Sequence, residues 1–196
     1  TPVADWRKCF DNAAMSFALS AAAGAPSVVL CTLNAKYIHA SLGLRYLLAN
    51  MGDLKSCTVL REFTIARRPQ EVLDELLALL GPQQPGATQV VGFGVYIWNV
   101  TQTEALLRLL KAQRPDIKVV LGGPEVSHEV DEQAIVRLAD HVITGWGDTS
   151  FPRLCRALNH GPKPLMKIIA GEQAGLDEIV LPYDEYTEAD LAHRLL

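Results

Sequence analysis

Five short runs of apolar, largely β-branched residues recur from Ser27 onward, each followed by a stretch with helical spacing. The runs are Ser27–Leu33, Cys57–Phe63, Gln89–Tyr96, Ile117–Leu121 and His141–Thr144. Each is almost continuously hydrophobic, as strands covered on both faces are. Between them, Leu42, Tyr46 and Ala49 share one helical face, and so do Val72, Leu73, Leu76, Leu77 and Leu80 behind Pro69, a favourable first-turn residue. A third helix carries Leu106, Leu107, Leu109 and Leu110 and is predicted to start near Thr101 or Thr103, either a good N-cap. A fourth spans Glu132–Ala139, with Ile135, Val136 and Leu138 inward. A fifth follows Asp148–Thr149 and carries Phe151, Leu154 and Leu158.

Alternation of this kind builds a parallel sheet covered on both faces. The expected class is α/β: a doubly wound parallel sheet, Rossmann-like or flavodoxin-like, of five to six strands with right-handed crossovers. Met166–Ala170 supplies the sixth strand. In such sheets ligands bind at the carboxyl ends of the strands, where strand order reverses. The division is residues 1–26 as a helical N-terminal extension, 27–170 as the α/β domain, and 171–196 as a linker ending in a short helix capped by Thr187.

Charge and cysteines narrow the function. Net charge is −4, and no basic stripe exceeds Arg67–Arg68. That argues against nucleic acid as a partner, which selects a basic face. Cys9, Cys31, Cys57 and Cys155 are scattered without a CxxC pair, so the expectation is reduced structural thiols in a cytoplasmic protein. Ala13–Ala25 loosely resembles a signal peptide, but Asp5 and Asp11 interrupt its front and it is too short to span a bilayer. No membrane association is expected.

The loops after the strands are unusual. The first holds Asn34, Tyr37, His39, Ser41 and Gly43, with Ser41 placed to cap the following helix. The third strand ends in Gly94-Val95-Tyr96-Ile97-Trp98, after an earlier Gly92. The fourth ends in Gly122-Gly123-Pro124-Glu125 and the fifth in Gly145-Trp146-Gly147-Asp148. Glycines at strand ends admit a close ligand or backbone, and the aromatics add flat apolar faces. The set suits a large planar ligand better than a simple phosphate.

Taken together, "NAKYIHASLGLRYL" at Asn34–Leu47, "VGFGVYIWN" at Val91–Asn99, "VVLGGPEVS" at Val119–Ser127 and "VITGWGD" at Val142–Asp148 resemble the N-terminal cobalamin-binding domain of radical S-adenosylmethionine (SAM) proteins. The tail "LPYDEYTEADLAHRLL" resembles the linker leading to their catalytic barrel. The resemblance implies a corrin over the strand carboxyl ends, with its nucleotide tail descending into the fold. The Asn34–Gly43 loop would flank the lower corrin face. Gly94, Val95 and Tyr96 stand where methionine-synthase-like domains have Ser-x-Leu. Gly122 and Gly123 match the Gly-Gly beside the nucleotide tail, with Pro124 and Glu125 following. Gly145–Gly147 would close the other side.

Two departures stand out. Relatives have Gly-Glu-Gly where Trp146 stands here. Methionine-synthase-like domains carry Asp-x-His-x-x-Gly, whose histidine ligates cobalt. His39, the candidate metal ligand, falls four residues before Gly43, and Asn34 replaces a nearby acid. Radical SAM relatives commonly lack that ligand.

The resemblance further implies a radical SAM catalytic domain as partner, bearing a 4Fe-4S cluster and SAM, with methyl transfer, rearrangement or cyclisation as its chemistry. This chain has no CxxxCxxC and no evident acid–base pair, so it is not expected to be catalytic alone. Two other readings stand beside it: a flavodoxin-like module binding a partner or flavin, and a scaffold domain that has lost cobalamin. A dinucleotide enzyme is disfavoured, because no GxGxxG follows the first strand.

Overall fold

Apolar β-branched runs covered on both faces fold here into one six-stranded, wholly parallel sheet. The computed structural model describes residues 25–35, 40–83, 85–188 and 190. The strands are β1 (Val28–Asn34), β2 (Thr58–Thr64), β3 (Val90–Gly94), β4 (Lys118–Gly122), β5 (His141–Gly145) and β6 (Ile168–Gly171). Their order is β2-β1-β3-β4-β5-β6, so direction reverses between β1 and β3. Among the described residues the α-helices are α1 (Leu42–Ala49), α2 (Pro69–Leu80), α3 (Val100–Gln113), α4 (Ala134–Leu138) and α5 (Ser150–His160).

The doubly wound expectation holds, including the sixth strand. Val29, Cys31, Leu33, Val91, Phe93, Val119 and Leu121 face α2, α3 and α4. The alternate residues Val28, Leu30, Val90, Val120 and Ile143 face α1 and α5. One crossover differs from the expected uniform hand. β6 is added in the same direction as β4 and β5, yet α5 lies on the α1 face, so β5-α5-β6 has the opposite hand from the other four. The right-handed rule is strong but not absolute. The exception follows from α5's apolar face, since Phe151, Leu154, Cys155 and Leu158 all bury against the α1 side.

Element ends moved by a residue or two. The predicted third strand stops at Gly94, not Tyr96, and Val95 N–H just beyond it still donates to the Gly122 carbonyl of β4 at 2.8 Å. α3 starts at Val100 rather than Thr101 or Thr103, with Asn99 at its N-cap. The fourth helix is cut to Ala134–Leu138. Cys31, Cys57 and Cys155 are buried and outside any disulfide, and burial pushes the Cys31 and Cys155 thiols well above the ordinary range, so neither is a ready nucleophile. Cys9 and most of the 1–26 extension lie outside the described residues, as does the tail helix beyond Asp190. No described helix is long and apolar enough to cross a membrane.

Arg45 of α1, with its side chain 3% exposed, organises the first loop and the tail. It pairs with Glu62 of β2 at 2.8 Å and with Asp190 at 2.9 Å, and its guanidinium stacks 4.7 Å from the Tyr186 ring. Thr187 caps the tail turn as its sequence suggests. Asp190 N–H donates to Thr187 Oγ1 at 3.2 Å, and Thr187 N–H returns a bond to Asp190 Oδ2 at 2.8 Å. Burial pushes the Asp190 carboxyl up, but the Thr187 N–H and the Arg45 guanidinium outweigh it and hold it down at about 2. A depressed carboxylate stabilises the fold above its ordinary value of 3.8 and loses that contribution as pH falls through about 2. Asp190→Asn is therefore expected to be less stable than wild type by about 1 kcal/mol at pH 5, after allowing for screening near the surface. Urea titrations at stepped pH should show the difference shrinking between pH 4 and pH 2.

Candidate functional site

Every second residue of β3 and β4 on the α1/α5 face is small near the carboxyl end: Gly92 and Gly94 after Val90, and Gly122 after Val120. Register sets Thr32, Gly94 and Gly122 side by side across the reversal between β1 and β3. Phe151 of α5 packs onto Gly92, and beyond it the bare ends at Gly94 and Gly122 leave space beneath α1 and α5. A cavity of about 430 Å³ remains, well within the range of small-ligand sites, roughly 300–1,000 Å³.

Gly43, Leu44 and Leu47 of α1 form one wall and Phe151 of α5 the other. Tyr96, Gly145, Trp146, Gly147 and Asp148 form the rim, and Leu176, Ile179 and Leu181 approach from the tail. The lining is mostly apolar, and Asp148 is its one carboxylate among the described residues. Burial pushes the Asp148 carboxyl up, so the site favours a neutral or hydrogen-bond-donating group over a phosphate.

The strand ends are held by a residue the sequence reading quoted without assigning it a role. Asn99 is fully buried, and its amide nitrogen reaches Thr32 Oγ1, Leu33 O and Gly94 O at 3.0–3.2 Å. Its amide oxygen accepts Tyr96 N–H at 2.9 Å. Thr32 Oγ1 in turn donates to Gly94 O at 2.8 Å. This clasp locks β1 to the β3 exit and fixes Tyr96 at the rim. The one available sign in the sequence was a polar amide just before an amphipathic helix. Tyr96 stacks on Trp98, with centroids 4.5 Å apart and planes 6° off parallel.

The sequence-selected residues divide into groups. Gly43, Gly94, Tyr96, Gly122, Gly123, Gly145, Trp146 and Gly147 come together around the cavity. Trp98 lies just outside it, on the rim, and is 41% exposed. The Val95 side chain is buried in the core on the opposite face, against the helices there, and only its backbone meets the site loops. Pro124 and Glu125 lead into a short 3-10 turn at Glu125–Ser127, away from the lining. Asn34 and Ser41 serve the frame: Asn34 Nδ2 and Ser41 N–H both donate to Glu62, at 2.9 and 2.6 Å, and the Ser41 hydroxyl caps α1. Tyr37 and His39 lie outside the described residues.

Gly123 is bare for a different reason from the one its Gly-Gly sequence suggested. Its φ is +108°, and a Cβ would collide with the Val95 carbonyl oxygen and sit 2.9 Å from Val95 N. The close approach there is between two strand-end loops rather than between loop and ligand. A Cβ at Gly122 would be no nearer than 3.7 Å to the Ile143 carbonyl oxygen, beside the cavity. Leu47, Asp148 and Phe151 completed the lining without having been selected, because only packing reveals which helix faces flank a gap.

A doubly wound sheet with an apolar cavity at its topological switch point defines a small-ligand-binding α/β domain. Residues 28–155, most of the chain, match the family model of the B12 binding domain. The chain belongs to this family, and cobalamin is the ligand that membership implies. A search of curated proteins finds no match. The residues fit such a ligand, because the row of bare strand positions would receive a flat heterocycle and the lining offers it apolar contact. Among the described residues no cluster of His, Cys, Asp or Glu could hold a separate metal ion.

The two adjacent glycines should respond oppositely to substitution. Gly123→Ala is expected to cost about 2–4 kcal/mol through φ strain and the clash with Val95. Gly122→Leu should stay within about 1 kcal/mol of wild type, its side chain entering the cavity. Chemical denaturation of both variants checks the contrast.

Proposed function

We propose that the chain binds cobalamin with its nucleotide tail in the cavity between the sheet and helices α1 and α5, presenting the corrin at the strand carboxyl ends to a radical SAM catalytic domain. The observation that carries the proposal is the cavity itself. Gly94 and Gly122 leave one face of the switch point open beside an apolar lining, within a chain of the B12-binding family.

This chain's own residues bind and orient. Leu44, Leu47 and Phe151 would grip the base of the tail by apolar contact, and the half-buried Asp148 would accept a hydrogen bond at the mouth. Tyr96, Trp98 and Trp146 offer flat faces at the rim, where Trp146 is 51% exposed. When bound, cobalamin supplies cobalt chemistry such as methyl-group carriage, and the protein's part is placement and exclusion of water. The 4Fe-4S cluster and SAM belong, in this proposal, to the partner domain. Its support is the resemblance of the four loop motifs and the tail.

Titration with hydroxocobalamin followed by gel filtration tests the reading. Wild type is expected to retain corrinoid in about equal amount with a perturbed visible spectrum, and Gly122→Leu to retain less than a tenth as much. A folded wild type that retains none would overturn the proposal and favour a scaffold or partner-binding domain. His39→Ala decides axial ligation separately: an unchanged cobalt(II) resonance spectrum would remove His39 from that role.

A further inference from the structure

The tail lies beyond the family match, which ends at residue 155, yet it does not leave the domain after β6. It runs back over the α1 side and carries Leu176, Ile179 and Leu181 to the cavity. Several attachments hold it, three of them to side chains of the α1 side. The Asn50 side chain, at the end of α1, donates to Val180 O at 3.0 Å and accepts Val180 N–H at 2.9 Å, so one amide satisfies both backbone groups of a single tail residue. Lys55 pairs with Glu185. The buried Arg45 pairs with Asp190.

A paired amide 130 positions away in sequence fixes the register of the tail, as a strand partner would. Register matters here because it decides which side chains face inward. Leu181 is 57% exposed and Leu176 is 91% exposed although both border the cavity, so the protein itself does little to cover them. Exposed leucines fixed at the mouth of an apolar cavity are positioned to cover whatever occupies it.

We infer that residues 176–181 form the outer wall of the ligand site, with Leu176, Ile179 and Leu181 contacting the bound nucleotide base and Asn50 acting as the positioning residue that holds them there. The inference rests on the corrinoid reading of the cavity. Ligand retention then depends on a segment outside the recognised family region.

The test compares wild type, Asn50→Ala and Leu181→Asp. Leu181 is exposed, so its variant folds whether or not Asn50 matters to α1. Hydroxocobalamin-loaded protein is diluted and release is followed by the visible spectrum, and the ligand-free proteins are titrated with anilinonaphthalene sulfonate. Release about tenfold faster from both variants, with unchanged unfolding midpoints, is the expected result and corresponds to losing one or two hydrogen bonds or an apolar contact. Wild-type release rates in both variants would overturn the wall while leaving the cavity reading intact. Faster uptake with unchanged release would also overturn it, making the segment a gate. If wild type retains no corrinoid, the cavity reading fails and the dye decides the wall: brighter fluorescence in both variants keeps it for another apolar ligand, and equal fluorescence removes it.

Discussion

The Phe151 ring rests on the bare backbone of Gly92, and much of the molecule follows from that seat. A Cβ at Gly92 would stand 2.7 Å from two ring carbons, inside any real contact distance. The missing side chain lets α5 dock over the middle of the sheet beside α1. α5 is thereby drawn to the face opposite α2–α4, at the cost of a crossover of uncommon hand. β6 then adds at the far edge, and the tail returns across the α1 side. The cavity is what remains toward the carboxyl end, where Gly94 and Gly122 continue the bare row. Helix docking and ligand space come from one alternating pattern of small residues.

Polar groups at this end mostly hold geometry, and apolar groups make up most of the cavity lining. Asn99 ties β1 to the exit of β3, and Glu62 gathers Asn34, Ser41 and Arg45. Each satisfies buried backbone or side-chain groups that would otherwise be costly to leave unpaired. Asp148 is the one carboxylate in the cavity lining among the described residues. A nucleotide-fold sheet thus carries an apolar cavity at its switch point, without the glycine-rich phosphate loop of dinucleotide binders.

Much of the fold was legible because its cause is local. Continuous β-branched runs such as Ser27–Leu33 cannot face water on either side, and Pro69 and Ser41 mark helix starts by backbone chemistry alone. The glycines were legible as a set but not in their separate roles. Gly94 and Gly122 border the cavity, Gly92 seats a ring, and Gly123 avoids a neighbouring backbone. These distinctions depend on which atoms face each glycine across a register that the sequence does not print. Val95 illustrates the same limit: it sits in the motif, but the two-residue period of the strand turns it to the opposite face.

By itself the sequence determined the class of sheet, through its hydrophobic period, and gathered the glycine-rich loops at one edge, while the resemblance of its loop motifs pointed to the family of the domain. Tertiary structure alone decided which face opens, which helices wall the cavity, how α5 crosses and where the tail returns. Those depend on contacts between residues far apart in the chain, as with Phe151 on Gly92 and Asn50 on Val180. Local pattern sets which elements form, but packing between them is fixed only when non-local side chains compete for the same volume.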